Sequence, residues 1–244
     1  MIVYDEYVTQ IEGHGRVYFD IKDGKVEVRL EIQEGSRLFE SLLRGRRAKE
    51  VPQMASRICG VCPVPHNLAA VQALENGMGI EASEQTKRLR RLMISSQMIV
   101  SHALHLYVLA AADYLGVNGV SELYAKFPEA VKRCVRIRRV GNRGIEIVGG
   151  RAVHPVNSIP GGFAKLPSKK DLEKLAKEFN TILDDCVETF NLFTGLKYLE
   201  FERATEYLAI DDEKNFPAYS GRLVTNRGLN VEAKEYRNHI SEVF

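Results

Sequence analysis

Apolar and polar residues alternate along the N-terminal part of the chain with the two-residue period of a β-strand. Residues 16–32, RVYFDIKDGKVEVRLEI, alternate on both sides of Asp23-Gly24, a dipeptide typical of tight hairpin turns. A short helix is expected next, from Ser36 to Arg44, and Gly45 ends it. These patterns predict a small β-sheet before the helical part of the chain.

Helical spacing of apolar residues begins after His66. It predicts a helix that ends at Gly77, a long helix from about Glu84 to near Gly116, and a short helix over residues 121–134. The next stretch, residues 136–163, is rich in glycine and proline, which predicts strands and loops there.

A further helix is predicted from Ser168, because SKKD combines an N-cap serine with an acidic residue three positions on. Apolar residues then recur at spacings of three and four and predict one face packed on a core: Leu172, Leu175, Phe179, Ile182, Cys186 and Phe190. The tail predicts short strands, turns and a helix start. The whole pattern predicts a mainly helical α+β fold, in which a small N-terminal sheet packs on a long-helix bundle and residues 1–244 form a single domain.

Charge argues against a nucleic-acid binder. A formal net charge of +2 is far from that of a strongly basic protein. The basic run KRCVRIRRVGNR lacks interleaved aromatic residues, so a surface facing solvent or another subunit is favoured over a nucleic-acid contact. No basic and apolar leader opens the sequence, and the expected compartment is the cytoplasm.

One apolar segment is long enough to span a bilayer. From Leu92 to Ala112 no residue carries a full charge. The segment also contains three Ser, one Gln and two His, each of which is costly in lipid. We therefore expect a helix buried within protein and no membrane span.

Four cysteines are too few and too unevenly spaced for a disulfide scaffold. Cys134 and Cys186 stand alone, and each is expected to be a buried small apolar residue. Cys59 and Cys62 lie three apart in RICGVCPVPH, residues 57–66, and in a reducing compartment such a pair indicates metal binding or redox activity before a bridge. Half of a zinc site, a dithiol redox motif and a soft transition-metal site all remain open on this chemistry.

Five motifs follow one another along the chain: EGH at 12–14, RLFE at 37–40, RICGVCPVPH at 57–66, HPVNSIPGG at 154–162 and PAYSGRLVTNRGLNVEAKEY at 217–236. In this order they resemble the large subunit of nickel–iron hydrogenases, most closely the cytosolic multi-subunit group. The resemblance implies reversible splitting of dihydrogen into protons and electrons. It also implies a nickel–iron centre whose iron carries cyanide and carbon monoxide.

The resemblance implies a role for each matching residue. Cys59 matches a terminal nickel ligand, and Cys62 matches a ligand that bridges nickel and iron. His66 matches a histidine beside the bridging sulfur, where a ring N–H tunes the thiolate. Glu12 matches a proton relay next to a terminal cysteine, since a carboxylate near a metal thiolate can pass a proton in either direction.

Other matches are less complete. Glu40 matches a glutamate that helps hold magnesium or a similar hard cation, but Leu38 stands where relatives have glycine. His102 and His105 share one face of the long helix, and a structural role in the core is favoured over proton transfer for them. Ser101 replaces an aspartate that some relatives carry above the nickel.

The resemblance does not extend to a complete metal site. The family's second pair of cysteines, in D-P-C-x-x-C-x-x-H, has no counterpart here, and the last cysteine is Cys186. We therefore interpret the chain as the N-terminal part of a split or truncated large subunit. The expected partners are a C-terminal half, an iron–sulfur small subunit that holds all the iron–sulfur clusters, and electron-acceptor reductase subunits. The alternative is a non-catalytic scaffold or interaction subunit related to hydrogenases.

Overall fold

The structure is a computed structural model that describes residues 2–33, 35 and 37–241. The predicted helix start at Ser36 lies outside the described residues. The helix itself spans Phe39–Leu43 (α1), and Gly45 follows it with a φ of 73°, as glycine permits.

The N-terminal strands form the sheet that their alternation predicts. Strands β1 (Ile2–Val8), β2 (Gly15–Lys22) and β3 (Lys25–Ile32) pair antiparallel in the order β1-β2-β3. Asp23 and Gly24 join β2 to β3, and their φ angles are 50° and 75°. Two positive φ angles are what a two-residue hairpin turn of the primed type requires, because only that turn matches the twist of the strands.

Helices make up most of the remaining chain, which confirms the mainly helical α+β prediction. In chain order the further helices are α2 (Val51–Ala55), α3 (Pro63–Met78), α4 (Glu84–Leu104), α5 (Ala111–Leu115), α6 (Val120–Lys126), α7 (Pro128–Gly149), α8 (Lys169–Asn180) and α9 (Leu183–Thr194). A π-helical turn, His105–Ala110, joins α4 to α5, so the predicted long helix continues to Gly116.

Short strands and turns complete the fold. The hairpin of β4 (Ser158–Ile159) and β5 (Gly162–Phe163) follows α7. The tail forms the predicted strands, in a second antiparallel sheet of order β6-β7-β8, and then a 3₁₀ helix. The bounds of these elements are Leu208–Asp211 (β6), Arg222–Thr225 (β7), Asn230–Glu232 (β8) and Ala233–Asn238 (the 3₁₀ helix).

The prediction of strands and loops over residues 136–163 is wrong as far as Gly149, whereas the turns and the β4–β5 hairpin over residues 150–163 agree with it. Helix α6 ends at Lys126, and Pro128 occupies the first turn of α7, where its missing N–H costs nothing. Helix α7 then continues through Gly141 and Gly144 to Gly149. These glycines are contact points between helices rather than breaks in one.

Gly141 lets α7 approach α4 closely. A Cβ atom at this position would lie 2.7 Å from Cγ2 of Val100 and 3.0 Å from the backbone oxygen of Ser96. Both neighbours belong to α4 and are buried, so they have little room to withdraw. The packing gain at this crossing therefore outweighs the low helix propensity of glycine.

We expect Gly141→Ala to lower the free energy of unfolding by about 1–3 kcal/mol, the usual cost of overpacking a tight core. The matched control is Gly77→Ala in α3, where a Cβ would have no neighbour within 4 Å. There the better helix propensity of alanine should raise stability by up to about 1 kcal/mol. Urea unfolding of both variants measures the difference, and equal effects would contradict the close-packing role of Gly141.

The long helical stretch Glu84–Leu115 is long and apolar enough to cross a membrane by length and composition alone. The buried core helix of a soluble protein meets the same criteria. In the structure α4 packs along α7, and only His102 and His105 are exposed within residues 92–112. This burial supports the interpretation of the segment as a core helix.

The helix predicted from Ser168 begins there. The Ser168 Oγ accepts a hydrogen bond from the backbone N–H of Asp171 at 3.1 Å. The predicted apolar stripe is interrupted, however, because α8 ends at Asn180 and α9 starts at Leu183. Because of this break Phe190 points away from the core. Its side chain is 66% exposed, so its predicted burial is wrong.

The two isolated cysteines behave as apolar residues. Cys134 is buried, and its Sγ lies 3.5 Å from the backbone oxygen of Ala103. Cys186 is half-buried against the same apolar cluster. Burial raises the pKa of both thiols, which keeps them protonated and unreactive.

A buried ion pair fastens four segments together. Arg90 in α4 is fully buried and donates to both carboxylate oxygens of Glu75 in α3, at 2.6 and 2.9 Å. Arg90 also donates to the Ile159 oxygen and to the Tyr219 hydroxyl, and Glu75 accepts from the N–H of Gly161 at 2.7 Å. The β4–β5 hairpin and the loop before β7 are thereby held against α3 and α4.

Candidate metal centre

Cys59 and Cys62 lie in the short loop between two helical segments. Cys59 follows the 3₁₀ turn Ser56–Ile58 with an extended backbone, and Cys62 directly precedes Pro63, the first residue of α3. Helix α3 thus begins three residues before His66, after which the sequence predicts helical spacing. Proline is favoured at this first helical position, where its fixed φ suits the helix and no N–H is required.

The two cysteines converge, as predicted. They form a disulfide in the structure, and their Cα atoms are 5.2 Å apart. The backbone N–H of Cys62 also donates to the Sγ of Cys59 at 2.9 Å. The sequence favoured metal binding or redox activity over a bridge, and the pair is bridged here. Two electrons and two protons would convert this bridge into two thiols, and the thiolates formed when these thiols lose their protons are the metal-binding form.

His66 completes a cluster of three potential ligands. It lies one turn into α3, and its ring nitrogen and the two sulfurs all lie within 4.8 Å of one another. Cys59 is buried, while Cys62 and His66 are half-buried, so the cluster faces outward from the core. Among the described residues this is the one group of three or more His, Cys, Asp or Glu side chains with such a geometry.

The donor set fits part of a soft transition-metal site. Two thiolates and an imidazole from one short segment suit nickel, iron, copper or zinc, whereas calcium and magnesium prefer oxygen. A closed tetrahedral site needs four ligands, one more than this cluster offers. The geometry therefore fits a metal centre that is completed by ligands from elsewhere.

The loop is held from one side by Arg37. Its guanidinium donates to the backbone oxygens of Arg57 (3.0 Å) and Ile58, the two residues before Cys59. The guanidinium also lies over the Phe39 ring, 4.8 Å from the centroid. Arg37 is the first residue of the RLFE motif, so this motif contacts the cysteine segment through its arginine.

Polar side chains from other elements also contact this part of the chain. Gln97 in α4 donates to the backbone oxygen of Val61 at 2.9 Å. His154, from the HPVNSIPGG motif, places Nδ1 2.8 Å from the backbone oxygen of Ser56. Asn67 in α3 donates to the backbone oxygens of Pro52 and Pro155. Arg37, Gln97 and His154, from three separate parts of the chain, thus contact residues 56–61, whereas the Asn67 bonds hold α3 against Pro52 and Pro155.

The two predicted glutamates do not join the cysteine cluster. Glu12 lies in the loop between β1 and β2, and Glu40 lies in the first turn of α1; both are exposed. Their predicted roles stay predictions. Leu38, which replaces the glycine of the motif that RLFE resembles, has a φ of 50° and a ψ of 43°. It therefore adopts the left-handed conformation that glycine adopts at least cost, and the backbone of the motif tolerates the substitution.

His102 and His105 are also separate from the cluster. Both are exposed, which differs from the expected role in the core. His102 borders an apolar groove of about 390 Å³ between α4 and α9. The groove is lined in addition by Ile99, Leu106, Phe190, Phe193 and Tyr198.

Sequence reasoning overlooked three residues that position the cysteine loop. Arg37 was noted only as part of a motif, and Gln97 only as a polar residue in an apolar segment. Ser56 offered no signal, because its contribution is a backbone oxygen. A lone amide inside an otherwise apolar helix is the one usable signal, since a buried amide needs a hydrogen-bond partner.

The chain is similar in sequence to known proteins of one family. Residues 37–138 match the family Nickel-dependent hydrogenase. The chain is 33% identical over 240 residues to the alpha subunit of sulfhydrogenase 1 from Pyrococcus furiosus, covering 97% of this chain and 56% of that protein. It is 34% identical over 258 residues to a subunit of the vhu F420-non-reducing hydrogenase from Methanocaldococcus jannaschii, covering 97% and 62%.

Solved structures share the fold. An NAD⁺-reducing [NiFe]-hydrogenase in the H₂-reduced state superposes with a TM-score of 0.86 at 28% identity, over 97% of this chain and 57% of that one. The Ni-Fe-Se hydrogenase of D. vulgaris Hildenborough gives 0.67 at 30% identity, over 78% and 42%. The chain spans about half the length of the curated relatives it matches. By sequence and by fold, this chain belongs to the nickel–iron hydrogenase large-subunit family, to whose N-terminal part its residues correspond.

Proposed function

We propose that this chain supplies two of the four cysteine ligands of a nickel–iron centre that reversibly oxidises dihydrogen. The observation that carries the proposal is the convergence of the Cys59 and Cys62 sulfurs with the His66 ring, within 4.8 Å, on a segment held by three other parts of the chain. When bound, the nickel–iron centre, with cyanide and carbon monoxide on its iron, supplies the site at which dihydrogen is cleaved.

The chain's own residues hold the ligands and move protons. In the reduced chain the thiolates of Cys59 and Cys62 would hold the centre, Cys59 as a terminal ligand and Cys62 as a shared one. The ring N–H of His66 would donate to the Cys62 thiolate, which would lower the electron density on that sulfur and fix its orientation. Glu12 would accept a proton from the cysteine side of the site and pass it outward. Glu40 helps to hold magnesium or a similar hard cation through its carboxylate oxygens.

The missing ligands imply partners. A C-terminal half provides the second pair of cysteines, and an iron–sulfur small subunit carries the electrons to reductase subunits, which transfer them to the acceptor. Residues 1–244 act as one domain in this cytoplasmic assembly. Exposed apolar side chains support such partners: Val26, Val28, Leu30 and Ile32 of β3 are each more than half exposed, and Leu199 and Phe201 are 87% and 78% exposed. Soluble monomers rarely leave contiguous patches of this kind uncovered.

The nickel content of the native assembly tests the proposal. The complex that contains this chain should be isolated under reducing, oxygen-free conditions, and its nickel measured relative to the chain. We expect stoichiometric nickel and hydrogen-dependent reduction of an artificial dye. The 244-residue chain expressed alone should show neither, because half of the ligands are missing. An intact complex without nickel would contradict the proposal and favour the non-catalytic scaffold.

A further inference from the structure

Gln97 contacts the peptide unit that separates the two cysteines. It lies in α4, is only 3% exposed, and its Nε2 donates to the backbone oxygen of Val61 at 2.9 Å. That carbonyl shares one planar peptide unit with the N–H of Cys62. The same N–H donates to the Sγ of Cys59 at 2.9 Å. A continuous path of hydrogen bonds therefore runs from the Gln97 amide through one peptide to the first cysteine sulfur.

The planarity of the peptide makes the two hydrogen bonds dependent on each other. Its C=O and N–H point in opposite directions, so an anchored oxygen fixes the direction of the N–H. The first bond also polarises the peptide and strengthens the second. A donor that is held in place beside a sulfur orients that sulfur, as partners beyond the direct ligands do in metal sites.

Packing gives the loop little support at this point. Gly60, the other residue between the cysteines, has no atom within 4 Å of the place a Cβ would occupy. A cavity of about 100 Å³ lies beside Gly60, Val61 and Gln97. Because the loop borders open space there, its conformation depends on the hydrogen bonds of its own backbone.

We propose that Gln97 is a positioning residue for the cysteine pair: it holds the Val61–Cys62 peptide so that the Cys62 N–H points at the Cys59 sulfur and the two sulfurs converge. This role rests on the proposed function for its biological meaning, but it concerns a property of the isolated chain. Gln97 itself does not touch the metals, and it acts through the peptide alone.

The test compares Gln97→Met with Asn67→Leu in the 244-residue chain. Both substitutions remove a buried amide and keep its approximate size. Asn67 is fully buried and bonds to Pro52 and Pro155, outside the loop of residues 59–62, so it reports the general cost of losing a buried amide. Two quantities are measured for each variant, the hydrogen exchange of the Cys62 amide and the equilibrium of the Cys59–Cys62 pair with glutathione.

In the glutathione equilibrium, two cysteine thiols give two electrons and two protons to oxidised glutathione, which yields the protein disulfide and two reduced glutathione molecules. Alkylation and peptide mass spectrometry read Cys59 and Cys62 separately from Cys134 and Cys186. We expect Gln97→Met to shift the equilibrium about fivefold toward the dithiol, the effect of one net hydrogen bond, and to speed Cys62 amide exchange by a similar factor.

Asn67→Leu should change both quantities less than about twofold. The proposal is wrong if Gln97→Met changes neither quantity, or if Asn67→Leu changes both to the same extent. If Gln97→Met does not fold, Gln97→Asn replaces it, because the shorter amide stays polar but cannot reach the Val61 oxygen. A complex without nickel would overturn the proposed function and leave these two measurements unaffected.

Discussion

Cys62→Ser in the assembled complex should abolish both nickel retention and hydrogen-dependent dye reduction, and Cys59→Ser should do the same. Serine keeps the size of cysteine, but its hydroxyl stays protonated at neutral pH and is a poor ligand for a soft metal. Each substitution also leaves the sulfur of the remaining cysteine without the second sulfur beside it. Nickel per chain and dye reduction, measured on the purified complex, give the result.

Cys186→Ser is the matched control for this prediction. Cys186 is half-buried, far from the loop in sequence, and its thiol is kept protonated by a raised pKa. The control complex should keep its nickel and its activity. Normal nickel in the Cys59→Ser and Cys62→Ser complexes would show that the pair does not bind the metal, and that their convergence serves the structure alone.

Glu75→Ala should lower the free energy of unfolding by about 3–5 kcal/mol, because it leaves the charge of fully buried Arg90 without its partner. The effect is large because Arg90 reaches no solvent that could replace the carboxylate. The double substitution Glu75→Leu with Arg90→Met should recover most of this loss, since an apolar pair of similar volume avoids the unpaired charge.

Glu84→Ala provides a surface control. Glu84 pairs with Lys87 at 2.8 Å, but both side chains are substantially exposed, so the stability should hardly change. Urea unfolding of the four proteins, wild type included, gives the comparison. If Glu75→Ala lowered the free energy of unfolding no more than Glu84→Ala does, the buried Glu75–Arg90 pair would not stabilise the fold as we propose.

The buried pair of Glu75 and Arg90 also predicts how the free energy of unfolding depends on pH. Burial by itself would raise the pKa of Glu75, but the hydrogen bonds from Arg90 and from the N–H of Gly161 outweigh it and hold the pKa below the usual 4.5. A carboxyl group whose pKa is lower in the folded state stabilises the fold fully above its unfolded pKa. Wild-type stability should therefore fall as the pH drops below about 4.5, more steeply than that of the Glu75→Leu/Arg90→Met variant.

The sequence by itself was enough for features that depend on near neighbours in the chain. The β2–β3 hairpin followed from alternation around Asp23-Gly24, and the start of α8 followed from the capping chemistry of Ser168. The Cys59–Cys62 spacing likewise predicted that the sulfurs converge. In each case the interacting residues lie within a few positions of one another, so the local sequence is enough to predict the structure.

The tertiary structure decided the features whose cause is a distant segment. Gly141 and Gly144 indicated a loop, but the approach of α4 makes small residues favourable inside a continuous α7. The cysteine loop takes its shape from Arg37 and Gln97, which lie 20 and 36 residues from the oxygens they bind. The local sequence limits which conformations a segment can adopt. Which of these conformations it does adopt depends on the groups from distant segments that pack against it. For the cysteine pair, those groups are hydrogen-bond donors from α4 and from the segment before α1.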